Sequence, residues 1–239
     1  MRLKGVFLSA EWRWLAMLNY EVEPSLLRPY LPPGTELDTW NGRAFVSLVG
    51  FRFLATRILG LGVPGHRDFD EVNLRLYVRR RAPEGWRRGV AFIRELVPRK
   101  GLAWVARAFY GEPYAAVPMR HAINPDSGLV SYAWLWSGGW CSLNLRCHGL
   151  PQLPKDDSEE AFIVEHYWGY TARPGGLLSE YSVEHPRWKV FATTHASLSG
   201  ELGSLYGPNF VATLSAPPHS AFVAEGSKVL VRRPVVLRP

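Results

Sequence analysis

In the segment EVNLRLYV three polar side chains stand at alternate positions, and each type has a distinct use. Glu71 offers a carboxyl for proton transfer, Asn73 an amide that orients a carbonyl, and Arg75 a two-pronged donor that matches a carboxylate. Val72, Leu74, Leu76 and Val78 fill the intervening positions, so a strand puts the polar set on one face and the apolar set on the other. Such a polar face must meet either solvent or a polar cavity. A second group is Glu95, followed by Pro98, Arg99 and Lys100. A lysine becomes a Schiff-base nucleophile when burial or a neighbouring cation lowers its pKa, and Arg99 beside Lys100 is such a neighbour. The simpler reading is a solvated pair at a helix start, where two cations oppose the helix dipole unless an anion joins them. The third group is VEHYWGYT with EYSVEHPRW, which set His166 and His185 beside carboxylates and aromatic rings. Imidazoles there suit proton shuttling or ligand contact. Neither histidine has metal-site spacing, so no metal is expected; Glu112, Tyr114 and His121 are lesser candidates of the same kind.

Other chemistries are disfavoured. Cys141 and Cys147 fall on one side of the alternating run CSLNLRC with Leu143 and Leu145, which reads as buried thiols on a strand rather than a metal site with His148. The glycines of GLGVPG have neither dinucleotide nor phosphate-loop spacing, and there is no nucleophile elbow, so no cofactor is expected. The net charge of +7 is carried mainly by arginine. Its densest cluster, Arg79, Arg80, Arg81, Arg87 and Arg88, flanks a Pro83-Glu84-Gly85 turn and reads as a hairpin tip, either solvated or presented to an acidic partner. No nucleic-acid-binding signature accompanies it.

These residues need strands to position them. At 239 residues, 47% of them hydrophobic and 13% aromatic, the chain is expected to fold as one domain spanning residues 1–239. Alternation predicts strands over 12–22, 43–53, 71–78, 89–97, 128–135, 141–147, 178–183, 189–198 and 228–231, with a hairpin signal at Asn41-Gly42. One real helix is predicted in KGLAWVARAFYG, where Leu102, Val105, Ala106 and Phe109 recur at helical spacing before Gly111. A second short helix is expected after the polar loop 154–160. The opening residues are too briefly apolar for a signal peptide and no 18-residue apolar run occurs, so a cytoplasmic protein without membrane contact is expected.

The segments NYEVEPSLLRPYLPPGTELDTWNGRAFVSLVGFRF, FDEVNLRLYVR, RGVAFIRELVPRKGLAWVARAFYGEPY, VEHYWGYT and VEHPRW resemble the YqjF-like family of unknown function, over roughly residues 10–195. That family is grouped with the acetoacetate-decarboxylase-like superfamily. The resemblance implies a mainly β fold with few helices, a cone-shaped antiparallel barrel around a central cavity. In the decarboxylases a similar REL is followed by proline and two lysines, the first forming the imine and the second lowering its pKa. Carried over, the nucleophile falls on Arg99, which cannot form an imine, and the helper on Lys100. Classical decarboxylation is therefore disfavoured, although a one-residue slip would let Lys100 act with Glu71 or Glu95 moving protons. The expected function is a pocket for a small molecule with a carboxylate or carbonyl, lined by Glu71, Asn73, Arg75, Glu95, Arg99 or Lys100, with His166 and His185 as further ligand contacts. Alternatives are a Schiff-base lyase using Lys100 and an interaction protein using the arginine hairpin. Oligomeric state is left open.

Overall fold

A computed structural model describes residues 5–239, so part of the reading of the opening residues falls on 1–4, outside the described range. Strands dominate. The first half contains β1 (Val6–Val22), β2 (Glu36–Leu37), β3 (Ala44–Ile58), β4 (Phe69–Ala82), β5 (Gly85–Val97), β6 (Tyr114–Ala116) and β7 (Met119–Asn124). The second half contains β8 (Leu129–Trp136), β9 (Gly139–Gln152), β10 (Trp168–Arg173), β11 (Leu177–Glu184), β12 (Val190–Ser199), β13 (Ser220–Arg232) and β14 (Val235–Leu237). The helices are short: α1 (Pro24–Leu27), α2 (Lys100–Phe109), α3 (Glu159–Val164), α4 (Gly203–Tyr206) and α5 (Val211–Ser215). The helix expected from KGLAWVARAFYG is α2; the short helix expected near the polar loop, with Asp157 and Glu160 as its cap, is α3, which starts within the loop at Glu159 and is capped instead by Ser158, accepting from the Ala161 amide.

Seven strands make a ring in the order β11, β10, β5, β4, β3, β1, β13, and β13 returns to β11 through Val183 opposite Val231 and Glu184 opposite Leu230. From β13 the sheet continues as β12, β9, β8 and β7. Most pairings are antiparallel, but the ring is completed between β5 and β10 by a short parallel contact, Trp168 opposite Gly89 and Gly169 opposite Val90. That contact requires glycine. A Cβ at Gly89 would lie 2.4 Å from the Trp168 carbonyl oxygen, and one at Gly169 would lie 2.1 Å from Tyr181 Cζ. Long strands must bend to close such a ring, and β1 does so at register shifts against β3 between Ser9 and Glu11 and between Arg13 and Ala16, with Trp14 at a positive φ of 56°.

Alternation along the ring strands sorts side chains into two cores. Leu18, Val46, Leu48, Leu74 and Leu76 face outward against residues of the sheet extension and the later helices, including Tyr132, Trp134, Leu143 and Phe210. Leu15, Val49, Phe51, Phe53, Phe69, Val97, Tyr181 and Val183 face inward. Burial on both faces explains why so many strand residues are fully enclosed, each large apolar side chain contributing about 1.5–3 kcal/mol. Cys141 and Cys147 are buried free thiols of β9. Among the described residues no helix is long and apolar enough to cross a membrane.

Candidate functional site

The ring encloses a cavity of about 130 Å³, near the 150 Å³ at which an engineered protein cavity accepts benzene. Its wall is mainly apolar and aromatic, from Phe7, Trp12, Phe51, Phe53, Phe92 and Trp188 among others. Polar groups enter it from β4. The face predicted from EVNLRLYV points inward: Glu71, Asn73 and Arg75 all line the cavity, while Val72, Leu74, Leu76 and Val78 are buried in the outer core. Register adds the neighbours. Asn73 lies opposite Glu95 on β5, and Glu95 lies opposite Tyr114 on β6, so three strands bring an amide, a carboxyl and a phenol to one level.

At this level three glutamates converge, with Arg173 acting on Glu112 from the side. Glu71, Glu95 and Glu112 are 3%, 1% and 5% exposed. Glu71 accepts from Asn73 Nδ2 at 3.0 Å and from the Tyr114 hydroxyl at 2.8 Å, and Glu112 accepts from the Tyr181 hydroxyl. Burial pushes Glu71 up to about 7 and Glu112 up to about 8. Glu95 is raised well above the carboxylate range by burial and then by the charges of Glu112 and Glu71. Like charges in a low-dielectric cavity cannot all ionise, so the cluster holds protons near neutrality and can donate them. Glu95 Oε2 and Asn73 Oδ1 have no hydrogen-bond partner.

The second polar region of the wall is built on Arg75, His166 and His185. Arg75 donates to the Ile163 carbonyl at 3.1 Å and towards the Tyr77 hydroxyl at 3.4 Å; its Nε is buried and unpartnered, and among the described residues no carboxylate pairs with it. His166 Nε2 lies 3.0 Å from Asp38 Oδ2, the oxygen that also accepts from Arg88 at 2.6 Å. Burial and then the charges of Arg88 and Arg75 bring His166 down to about 4 against the opposing pull of Asp38. Burial raises Asp38, but its bonds to His166 and Arg88 bring it below the ordinary value. His185, stacked on Trp188 with ring centroids 3.9 Å apart, is lowered to about 4 by burial and by Arg75.

Two expected members of the pocket are elsewhere. Arg99 and Lys100 are exposed and do not line the cavity. The reason is helical geometry: α2 begins at Lys100 and turns Leu102, Val105 and Ala106 towards the cavity, which leaves its first residues on the solvent side. A Schiff-base role needs a lysine at the cavity, and Lys100 stands outside it. The arginine hairpin is also committed internally. Arg79 pairs with Glu36, Arg80 and Arg87 with Glu180, Arg88 with Asp38, and Arg79 and Arg81 lie over the Trp86 ring. His121 pairs with Asp70 at 2.9 Å. Glu112 and Tyr114, ranked low from sequence, belong to the acidic cluster. Asp38 was not singled out at all, because a lone aspartate in LDTW carries no spacing signal.

The comparisons agree with this architecture. A structure of acetoacetate decarboxylase from Legionella pneumophila superposes with a TM-score of 0.71 at 14% identity, covering 97% of this chain and 87% of that one. The enduracididine biosynthesis enzyme MppR, solved with pyruvate, superposes with a TM-score of 0.66 at 15% identity, covering 98% and 91%. At these identities the likeness establishes the fold, an acetoacetate-decarboxylase-like one. The uncharacterized protein YqjF of Bacillus subtilis (strain 168) is 29% identical over 177 residues, 73% of this chain and 72% of YqjF. The model of the DUF2071 family, described as an uncharacterized conserved protein (COG2071), matches residues 9–228, and the chain belongs to that family.

Proposed function

We propose that this protein binds a small oxo acid in the ring cavity, with the ligand's carboxylate on Arg75 and its carbonyl towards the protonated glutamate cluster. The observation that carries the reading is Arg75: a guanidinium at the wall of a mainly apolar cavity, with an unpartnered Nε and, among the described residues, no carboxylate paired with it. A partly buried charge without a counter-ion loses solvation that nothing replaces, and an anionic ligand supplies the missing partner. Carboxyls held in their acid form donate a hydrogen bond to a carbonyl, as backbone or phenol donors do elsewhere. That a neighbour in fold, MppR, has been solved with pyruvate supports an oxo acid as the ligand class. The chain is further assigned to the cytoplasm, in keeping with its two free buried thiols.

Thermal-shift and calorimetric titrations with levulinate (4-oxopentanoate), 2-oxobutanoate and pyruvate test the reading, with 4-hydroxypentanoate and 2-butanone as controls lacking the ketone or the carboxylate. Stabilisation by at least one oxo acid, weakened about tenfold or more in Arg75→Gln, is expected, since a hydrogen-bonded charge contributes about 1.5–3 kcal/mol. Equal binding by the controls, or by the variant, refutes it.

A further inference from the structure

We infer that His166 is the proton acceptor of this cavity, oriented by Asp38, and that with Glu95 it enolises a bound 4-oxo acid such as levulinate without any imine; the inference rests on the oxo-acid reading above. The geometry is that of an oriented base. The His166 side chain is 1% exposed, its Nε2 is committed to Asp38 Oδ2, and its Nδ1 is buried with no partner. The ring is held between Tyr77 and Phe162, at centroid distances of 4.8 and 5.0 Å. A carboxylate at 38 fixes the tautomer: Nε2 carries the proton and donates it, and Nδ1 keeps its lone pair. Asp38 is itself anchored by Arg88.

The position follows from Tyr77, which touches both groups. Arg75 reaches the Tyr77 hydroxyl and lies over its ring, while the imidazole packs on the same ring. A carboxylate on Arg75 therefore sits beside His166, and the carbon it holds close to the imidazole is the one on the carboxylate side of the ketone. Burial is the main cause of the low basicity of His166, and the same carboxylate offsets Arg75, a lesser one. Glu95, with an unpartnered Oε2, is the proton donor at the other end.

In levulinate the step balances as follows. The Nδ1 lone pair takes a proton from C3, the C3–H electron pair becomes the C3–C4 double bond, and the carbonyl π pair moves to oxygen, which takes the Glu95 proton. The products are an enol, an imidazolium paired with Asp38, and a carboxylate at Glu95; reversal regenerates all three groups.

The test is deuterium exchange into levulinate in heavy water, followed by proton NMR, on the full chain. Protein-dependent exchange at C3 in preference to the C5 methyl is expected, because C5 lies on the side away from Arg75. His166→Gln should lower that rate about 100-fold or more, the usual share of a general base, while levulinate binding changes only a few-fold. Asp38→Asn should act through the tautomer. Nitrogen-15 spectra of the native protein should show Nδ1 bare and Nε2 protonated, and the variant should shift the proton to Nδ1 and lose exchange. Binding without exchange, exchange confined to C5, an undiminished rate in His166→Gln, or a protonated Nδ1 in the native protein overturns the inference and leaves the binding reading standing. Failure of every oxo acid to bind removes both.

Discussion

At the scale of single residues, the cavity's behaviour is governed by protons. Glu71 near 7 and Glu112 near 8 bind protons more tightly in the folded chain than in the unfolded one, where carboxyls titrate near 4.5. Stability from such raised carboxyls is present at low pH and falls as pH rises through the folded values. His166 and His185, lowered to about 4, act in the opposite sense, but only below their unfolded value of 6.5. Between pH 6.5 and 8.5 the carboxyls therefore act alone, and urea denaturation across that window should show stability declining with pH. Glu112→Gln should flatten the decline and leave the protein more stable than the parent at pH 8.5; an unchanged slope would mean that Glu112 is not proton-bound. Oxo-acid affinity should fall over the same window, because ionised carboxyls repel the ligand and no longer donate to its carbonyl. Lys100→Ala, by contrast, should alter neither oxo-acid binding nor stability by more than about 0.5 kcal/mol, as expected of an exposed surface position.

At the scale of elements, β4 and β5 form the hairpin that delivers the site, and two of its features are testable. Its basic tip is bound to the rest of the molecule by Glu180, which is enclosed and accepts from both Arg80 and Arg87. Glu180→Gln leaves Arg80 without its carboxylate and Arg87 with Glu84 alone, and should cost about 3 kcal/mol in denaturation, the range for breaking an enclosed pair. A loss near zero would release these arginines for an external partner. At the parallel contact of β5 with β10, Gly169 lets the Tyr181 ring pass to reach Glu112. Gly169→Ala should cost about 1–3 kcal/mol through overpacking and disturb the acidic cluster, measured as a changed pH dependence of stability. How much of this hairpin was legible from sequence depends on period. The alternation of Val72, Leu74, Leu76 and Val78 against Glu71, Asn73 and Arg75 separated the two faces of β4, since successive side chains on a strand point oppositely. The same logic left Arg99 and Lys100 unplaced, because they occupy the junction where a period of two gives way to one of 3.6.

At the scale of the whole molecule, the ring joins distant parts of the chain: β1 pairs with both β3 and β13, so the first and penultimate strands are neighbours. We expect one cooperative unit, with far-UV and near-UV circular dichroism tracing a single denaturation curve; two separated transitions would divide the chain into independent domains. The sequence by itself determined the mainly β character, the helix α2, the two opposed faces of β4 and the buried thiols, because each depends on local period and composition; that the polar face of β4 looks inward came from the ring. It did not reveal β6, β7, β10 or β14, which are three to six residues long and take their form from the strands beside them. Tertiary structure alone decided that Glu71, Glu95 and Glu112 share one proton-rich cluster, that Asp38 stands behind His166 across 128 residues of chain, and that Lys100 lies outside the cavity. Ring closure sets those distances, and the number of residues between two side chains says nothing about their separation once non-local strand pairing has folded the chain.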